Sequence, residues 1–287
     1  MIVRRAVVAG QFYAAGLSSL NKQIKDCFMS KFGPKSFPSK IQNKKIIGAI
    51  APHAGYAYSG PGAAYVYKEL GESKQPDVYI ILGPNHTGYG AQFSTYIGDA
   101  WEIPYGNVKI DQEFGKALMQ KFPELKDDKI AHSYEHDIEV QLPFLYYINK
   151  NFKFLPIVVS DVDYGYCKLF AEALSSLDKK ICIIASSDFT HYGRNYGYEP
   201  FSSKIKENIY ELDKGAINYI EKLDTNGFLK YINKTRATIC GYGAIAITIE
   251  SCKKLGARRA RLLNYYTSGD VTNNYSNAVG YASIIFE

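Results

Sequence analysis

Three short apolar runs punctuate the chain, at 46–51, 78–82 and 181–185, each of strand length. The run 78–82 is β-branched at Val78, Ile80 and Ile81, which fits a strand buried on both faces, and Gly83 and Pro84 are read as its stop. Each run opens into a loop of similar make-up. APHAGYAYSG, LGPNHTGYG and ASSDFTHYG place His53, His86 and His191 there, with glycine and tyrosine close behind. A looser fourth case, TRATICGYG, puts Cys240 in the histidine's place. The intervals are unequal and the intervening sequence dissimilar, so these are separate loops and not a repeat array.

Helical periodicity fills the gaps. The pattern predicts a strand over 3–9 and a helix over 18–31, then helices over 63–70, 111–121, 137–149, 164–177 and 243–255, with a long and a shorter helix in 202–233. A strand is expected over 154–159, closing strands over 261–266 and 279–286, and a β-hairpin turning at Gly98–Asp99. Strands alternating with helices imply an α/β fold with a mixed, mainly parallel sheet covered by helices on both faces. Loops after parallel strands share one edge of such a sheet, where ligand crevices lie. His53, His86 and His191 are therefore expected to meet.

Composition adds limits. At 287 residues and 46% hydrophobic, the chain can bury one large core, and no linker divides it; the lysine- and proline-bearing stretch 30–45 reads as a surface loop, so a single domain over 1–287 is expected. The net charge of +6 is diffuse apart from Arg258, Arg259 and Arg261, and no nucleic-acid reading motif accompanies it. No signal peptide or bilayer-length apolar stretch is found, so a cytoplasmic protein without membrane contact is expected. The five cysteines are scattered, without a CxxC pair, which argues against a disulfide framework or a zinc knuckle; Cys167, Cys182 and Cys252 read as small buried hydrophobes.

Imidazoles gathered in one crevice suit iron, zinc, copper or nickel. Two histidines and one anionic ligand would leave open positions, and Cys240 is a third ligand on that reading or a buried thiol at a helix start on the other. Asp188 and His191, three apart in SSDFTH, read as further ligands, as a shell orienting a ligand, or as an acid–base pair. A serine hydrolase built on Ser186 or Ser187 lacks the GxSxG elbow. In AHSYEHDIEVQLPFL, Glu135 and Asp137 read as solvated first-turn acids, whereas His136 and Glu139 are placed on the crevice wall. Neither GPNHTGYG nor YSGPGAAY has the order of a phosphate loop. Among the 25 tyrosines, Tyr56, Tyr58, Tyr89, Tyr192 and Tyr242 flank the expected site and are candidates for a pocket lining.

APHAGYAYSG, ILGPNHTGYG, EHDIEVQLPFL, ASSDFTHYG and CGYG, taken together and in order, resemble the Memo family, whose microbial members are described as the Memo-like component of the AmmeMemoRadiSam system. The resemblance runs from RRAVVAGQFYA to GYAS, nearly the whole chain. It implies a fold similar to the class III, LigB-type non-haem iron extradiol dioxygenases. It also implies a metal, iron(II) first and copper or zinc as alternatives, held by His53, His86 and Cys240, with Asp188 and His191 beside them as catalytic residues. The related dioxygenases carry a carboxylate where this chain has Cys240, so ring cleavage does not follow from the resemblance. The function implied is a dioxygenase-like oxidoreductase acting on an unknown small molecule or peptide. The alternative is a non-catalytic scaffold binding peptides, proteins or AmmeMemoRadiSam partners, as the family's animal members bind phosphotyrosine peptides.

Overall fold

The structure is a computed structural model that describes residues 2–42 and 44–287. Its strands are β1 (Val3–Arg4), β2 (Gly48–Ala51), β3 (Val78–Pro84), β4 (Phe93–Thr95), β5 (Ala100–Ile103), β6 (Gly106–Ile110), β7 (Leu125–Asp127), β8 (Lys153–Val159), β9 (Ile181–Ser186), β10 (His191–Gly193), β11 (Ala260–Thr267) and β12 (Asn277–Phe286). The helices are α1 (Leu17–Met29), α2 (Gly60–Gly71), α3 (Gln112–Lys121), α4 (Lys129–Ser133), α5 (Asp137–Ile148), α6 (Tyr164–Ser175), α7 (Ile205–Glu221), α8 (Thr225–Thr235), α9 (Tyr242–Lys254) and α10 (Ser268–Thr272).

All the strands join one sheet along the order β1-β5-β6-β8-β3-β9-β2-β12-β10, with β11 on β12, β4 on β8 and β7 on β4. Its centre, β8-β3-β9-β2, is wholly parallel. All of β2, β3 and β9 is buried, which is why these strands appear in the sequence as unbroken apolar runs. Helices α1, α2 and α5 pack together as one layer, and α6, α8 and α9 as another. The result is a single α/β domain with a mixed, mostly parallel sheet flanked by helices. No helix among the described residues is long and apolar enough to cross a membrane.

Three expectations are corrected. The N-terminal strand ends at Arg4, because the N–H groups of Val7 and Val8 leave the sheet to donate to the Glu139 carboxylate. The hairpin does not turn at Gly98–Asp99: Asp99 bonds to Ile2 through both its N–H and its carboxylate, and β4 pairs with β7 and β8 instead. The hairpin lies one element later, between β5 and β6, closing at Ile103 opposite Gly106, whose φ of +119° favours glycine. Finally, β3 runs on through Gly83 and Pro84. A Cβ at Gly83 would lie 1.8 Å from Asp137 Oδ2, so the glycine is there for close approach to α5 and does not end the strand.

Candidate metal centre

Because β2, β3 and β9 are parallel, their carboxyl ends deliver His53, His86 and the Asp188–His191 loop to one edge. The crevice there has a volume of about 740 Å³; its walls include His53, His86, His136, Asp188 and His191, together with Phe12, Tyr58, Tyr196 and Tyr281.

His53, His86 and His136 each offer a ring nitrogen such that the three atoms lie within 4.8 Å of one another. They are graded in depth: His53 is buried, while the side chains of His136 and His86 are 22% and 32% exposed. Each ring is fixed from behind. Ser186 Oγ donates to the Asp137 carbonyl and accepts from Gln141, so at 3.1 Å from His53 Nδ1 it acts there as an acceptor, leaving Nε2 as the free lone pair. Glu135 Oε1 accepts from His86 Nδ1 at 2.8 Å and lies 3.3 Å from His136 Nδ1, while the carboxylate also accepts from the backbone N–H groups of both residues. This is the arrangement that sets tautomer and direction in histidine metal sites.

The charges fit a cation. Burial, and then the neighbouring imidazoles of His86, His136 and His191, hold His53 well below the usual histidine range, in the neutral form that ligates metals. Burial alone would raise Glu135, but hydrogen bonds from His136 and His86 outweigh it and hold the carboxyl far below its ordinary value. Asp137, read from sequence as solvated, is fully buried with Oδ2 unpartnered, and burial followed by the Glu135 charge pushes its carboxyl well up.

Cys240 approaches from the start of α9. Its Sγ is 3.3 Å from His53 Nε2 and 3.9 Å from Ser187 Oγ. Gly241 makes this possible, because a Cβ there would be 2.6 Å from the Ser187 Cβ. Burial, then the Asp188 carboxylate, push the thiol up. His53 thus has two further donors in reach: the His136 ring, in the compact triple with His86, and the Cys240 sulfur, 3.3 Å from Nε2.

Asp188 and His191 both line the crevice but are not hydrogen-bonded to each other as a pair. Asp188 Oδ1 accepts from the His53 and Ala54 N–H groups at 2.8 and 3.4 Å. His191 Nδ1 faces the carbonyls of Phe189 and Thr238 at 2.9 and 3.0 Å. Carbonyls only accept, so Nδ1 carries the proton and Nε2 is the basic nitrogen facing the crevice.

Other expected lining residues lie elsewhere. Glu139 is buried behind the site, accepting from Arg4, Val7, Val8 and the Tyr13 hydroxyl. Tyr56 is buried with its hydroxyl on the Val140 carbonyl, and Tyr192 donates to Phe201. Tyr89 is 59% exposed and does not line the crevice. Tyr242 donates to Asp161 and walls a separate cavity of about 630 Å³ that reaches Cys240 from the far side. Sequence reasoning missed Glu135 as an organising group; its place directly before His136 and ahead of a mostly apolar helix was the available signal.

Comparisons with known proteins assign a family to nearly the whole chain. The family model described as Memo-like protein matches residues 4–285. A MEMO1 family protein of Methanopyrus kandleri is 42% identical over 289 residues, covering 99% of this chain and 98% of that protein. One from Nitrosopumilus maritimus is 40% identical over 289 residues, covering 99% and 100%. Among solved structures, an uncharacterized protein of Escherichia coli K12 superposes with a TM-score of 0.60 at 11% identity, covering 85% of this chain and 100% of that one, a likeness of fold alone.

Proposed function

The chain belongs to the Memo-like protein family, and from that premise we propose that its crevice is the site of a mononuclear metal-dependent oxidoreductase that takes iron(II). The observation that carries this reading is the histidine triple: three ring nitrogens within 4.8 Å, with Nδ1 of His53 on Ser186 and of His86 and His136 on Glu135. Imidazole donors also accept copper or zinc; the dioxygenase-like placement of two histidines at strand ends favours iron.

His53 and His86 would hold the ion, with His136 and Cys240 as the donors that complete the set. A bound iron(II) would supply a Lewis-acidic, redox-active centre. Glu135 keeps two of the rings aimed inward, and its negative charge offsets part of the cation's. His191 Nε2, facing the crevice, takes a proton from a ligand hydroxyl or returns one. Asp188 fixes the backbone that carries His53 by accepting from the N–H groups of His53 and Ala54. The crevice is wide enough for a small molecule or a peptide side chain.

The test uses nitric oxide as a probe of an open position on the iron(II)-loaded protein, read by electron paramagnetic resonance. A half-integer-spin nitrosyl signal is expected in the parent protein and in His191→Ala, and its loss in His53→Ala. An iron-loaded parent without the signal would contradict the oxidoreductase reading and favour a scaffold that binds peptides or proteins in the same crevice.

A further inference from the structure

Behind His191 lies a buried acid that the metal centre does not use. Asp213, on α7, is fully buried and has no cationic partner among the described residues. Its carboxylate accepts from the Thr190 N–H at 3.2 Å, from the Thr190 hydroxyl at 2.5 Å and from the Tyr265 hydroxyl at 2.5 Å. The approach is close enough that a Cβ at Gly280 would stand 2.2 Å from Asp213 Oδ2.

The Thr190 N–H belongs to the same peptide group as the Phe189 carbonyl, and that carbonyl accepts from His191 Nδ1 at 2.9 Å. The chain of contacts therefore runs from carboxylate to peptide N–H, across the peptide to its carbonyl, and on to the imidazole. A negative charge bonded to the N–H end of a peptide increases the electron density at its oxygen, which strengthens the bond that the oxygen accepts.

We propose that Asp213 is a positioning residue for His191, acting through the single peptide group that joins Phe189 to Thr190. It holds Nδ1 protonated and directed away from the crevice, so that Nε2 is presented to the ligand. This rests on the reading of His191 as the group that moves protons. Burial pushes the Asp213 carboxyl up to about 6 against the pull of the Thr190 and Tyr265 donors, so the charge is present at neutral pH. The other groups facing it, Tyr198, Tyr231 and Tyr265, are phenols that stay neutral there. The second acceptor on Nδ1, the Thr238 carbonyl, and the two bonds between the Thr238 hydroxyl and the His191 backbone fix where the ring sits. Asp213 adds the charge that the rest of this frame lacks.

The experiment is nitrogen-15 NMR of the full-length, metal-free protein labelled at histidine, read for the His191 tautomer and for exchange of its Nδ1 proton. Asp213→Asn keeps the shape and removes the charge. It is expected to speed Nδ1 proton exchange about tenfold and to admit the Nε2-protonated tautomer. Thr190→Val, which deletes a hydroxyl bond to the same carboxylate but keeps the peptide, is expected to leave exchange within about twofold. A folded Asp213→Asn protein with unchanged tautomer and exchange overturns the proposal, as does an equal response in Thr190→Val. Should Asp213→Asn not fold, hydrogen-bond scalar couplings in the parent protein decide. Couplings are expected from the Thr190 nitrogen to the Asp213 carboxyl carbon and from His191 Nδ1 to the Phe189 carbonyl carbon, and absence of either overturns the proposal. No metal enters these readouts, so they fail independently of the iron reading.

Discussion

The two halves of the crevice orient their imidazoles by different means. On the β3 and α5 side, Glu135 touches its rings directly, binding His86 through both its backbone and its ring and reaching His136 as well. On the β9 side, His191 is held by carbonyls, and the nearest carboxylate in its hydrogen-bond chain, Asp213, acts from one peptide away. Direct contact places a full negative charge against groups that would share a cation. A charge one peptide removed biases a tautomer while leaving the ring free to gain and lose a proton. On the proposed reading, the first half suits a cation and the second suits proton transfer.

Four substitutions test that contrast. The largest effect is expected for Glu135→Ala, which strips two imidazoles and two backbone N–H groups of their acceptor. Metal affinity should fall 10–100-fold by titration, and unfolding stability by about 3 kcal/mol in urea melts. An unchanged metal affinity would erase the distinction between the halves.

On the proton side, the folded Asp213 carboxyl titrates at about 6, above the unfolded value of about 3.9. The folded state therefore binds more protons than the unfolded state between those values, and stability falls as pH rises through that window. The drop is on the order of 3 kcal/mol from pH about 4 to 6, and it should be missing in Asp213→Asn when both are melted across that range. A rise in stability attributable to Asp213 would show the charge to be compensated by something other than the neutral donors seen.

Gly83→Ala should cost about 1–3 kcal/mol, because the new methyl meets the Asp137 carboxyl and pushes the start of α5, with Glu135 and His136 just ahead of it, away from β3. Metal affinity should fall with it, whereas the His191 tautomer should not change. The smallest effect belongs to Tyr242→Phe, whose hydroxyl reaches Asp161 outside the crevice. Stability should stay within about 0.5 kcal/mol and metal affinity should be unchanged.

What the sequence disclosed follows the same physics. Strands β2, β3 and β9 were legible because burial on both faces leaves continuous apolar runs, and the parallel order then brings their loops to one edge without further information. The partners of polar groups were not legible. Glu139 looked like a crevice residue on a mostly buried helix, yet its partners Arg4, Val7, Val8 and Tyr13 lie some 130 positions upstream. Glu135 and Asp137 looked like first-turn acids in water, and nothing local indicates that Arg4 bonds to the Glu135 carbonyl or that the Asp137 carboxyl packs against Gly83. Gly98–Asp99 carried a hairpin signal, but Asp99 is committed to Ile2, 97 residues away. Of the tyrosines near the histidines, Tyr58 does line the crevice, whereas Tyr56 and Tyr192 turn their hydroxyls to backbone carbonyls in the interior. Local pattern reported which apolar residues are buried, and long-range contacts decided which polar ones join them and what they do.

The most direct test of the account is metal content by elemental analysis of protein prepared without oxygen or chelators and reconstituted with iron, copper or zinc. The parent protein, His53→Ala, His86→Ala, His136→Ala and Cys240→Ser would be compared. About one ion per chain in the parent, lost in His53→Ala and His86→Ala and weakened in His136→Ala or Cys240→Ser, is the predicted result, with iron the ion retained. A parent that binds none of the three metals, or full occupancy surviving in His53→Ala and His86→Ala, would contradict it.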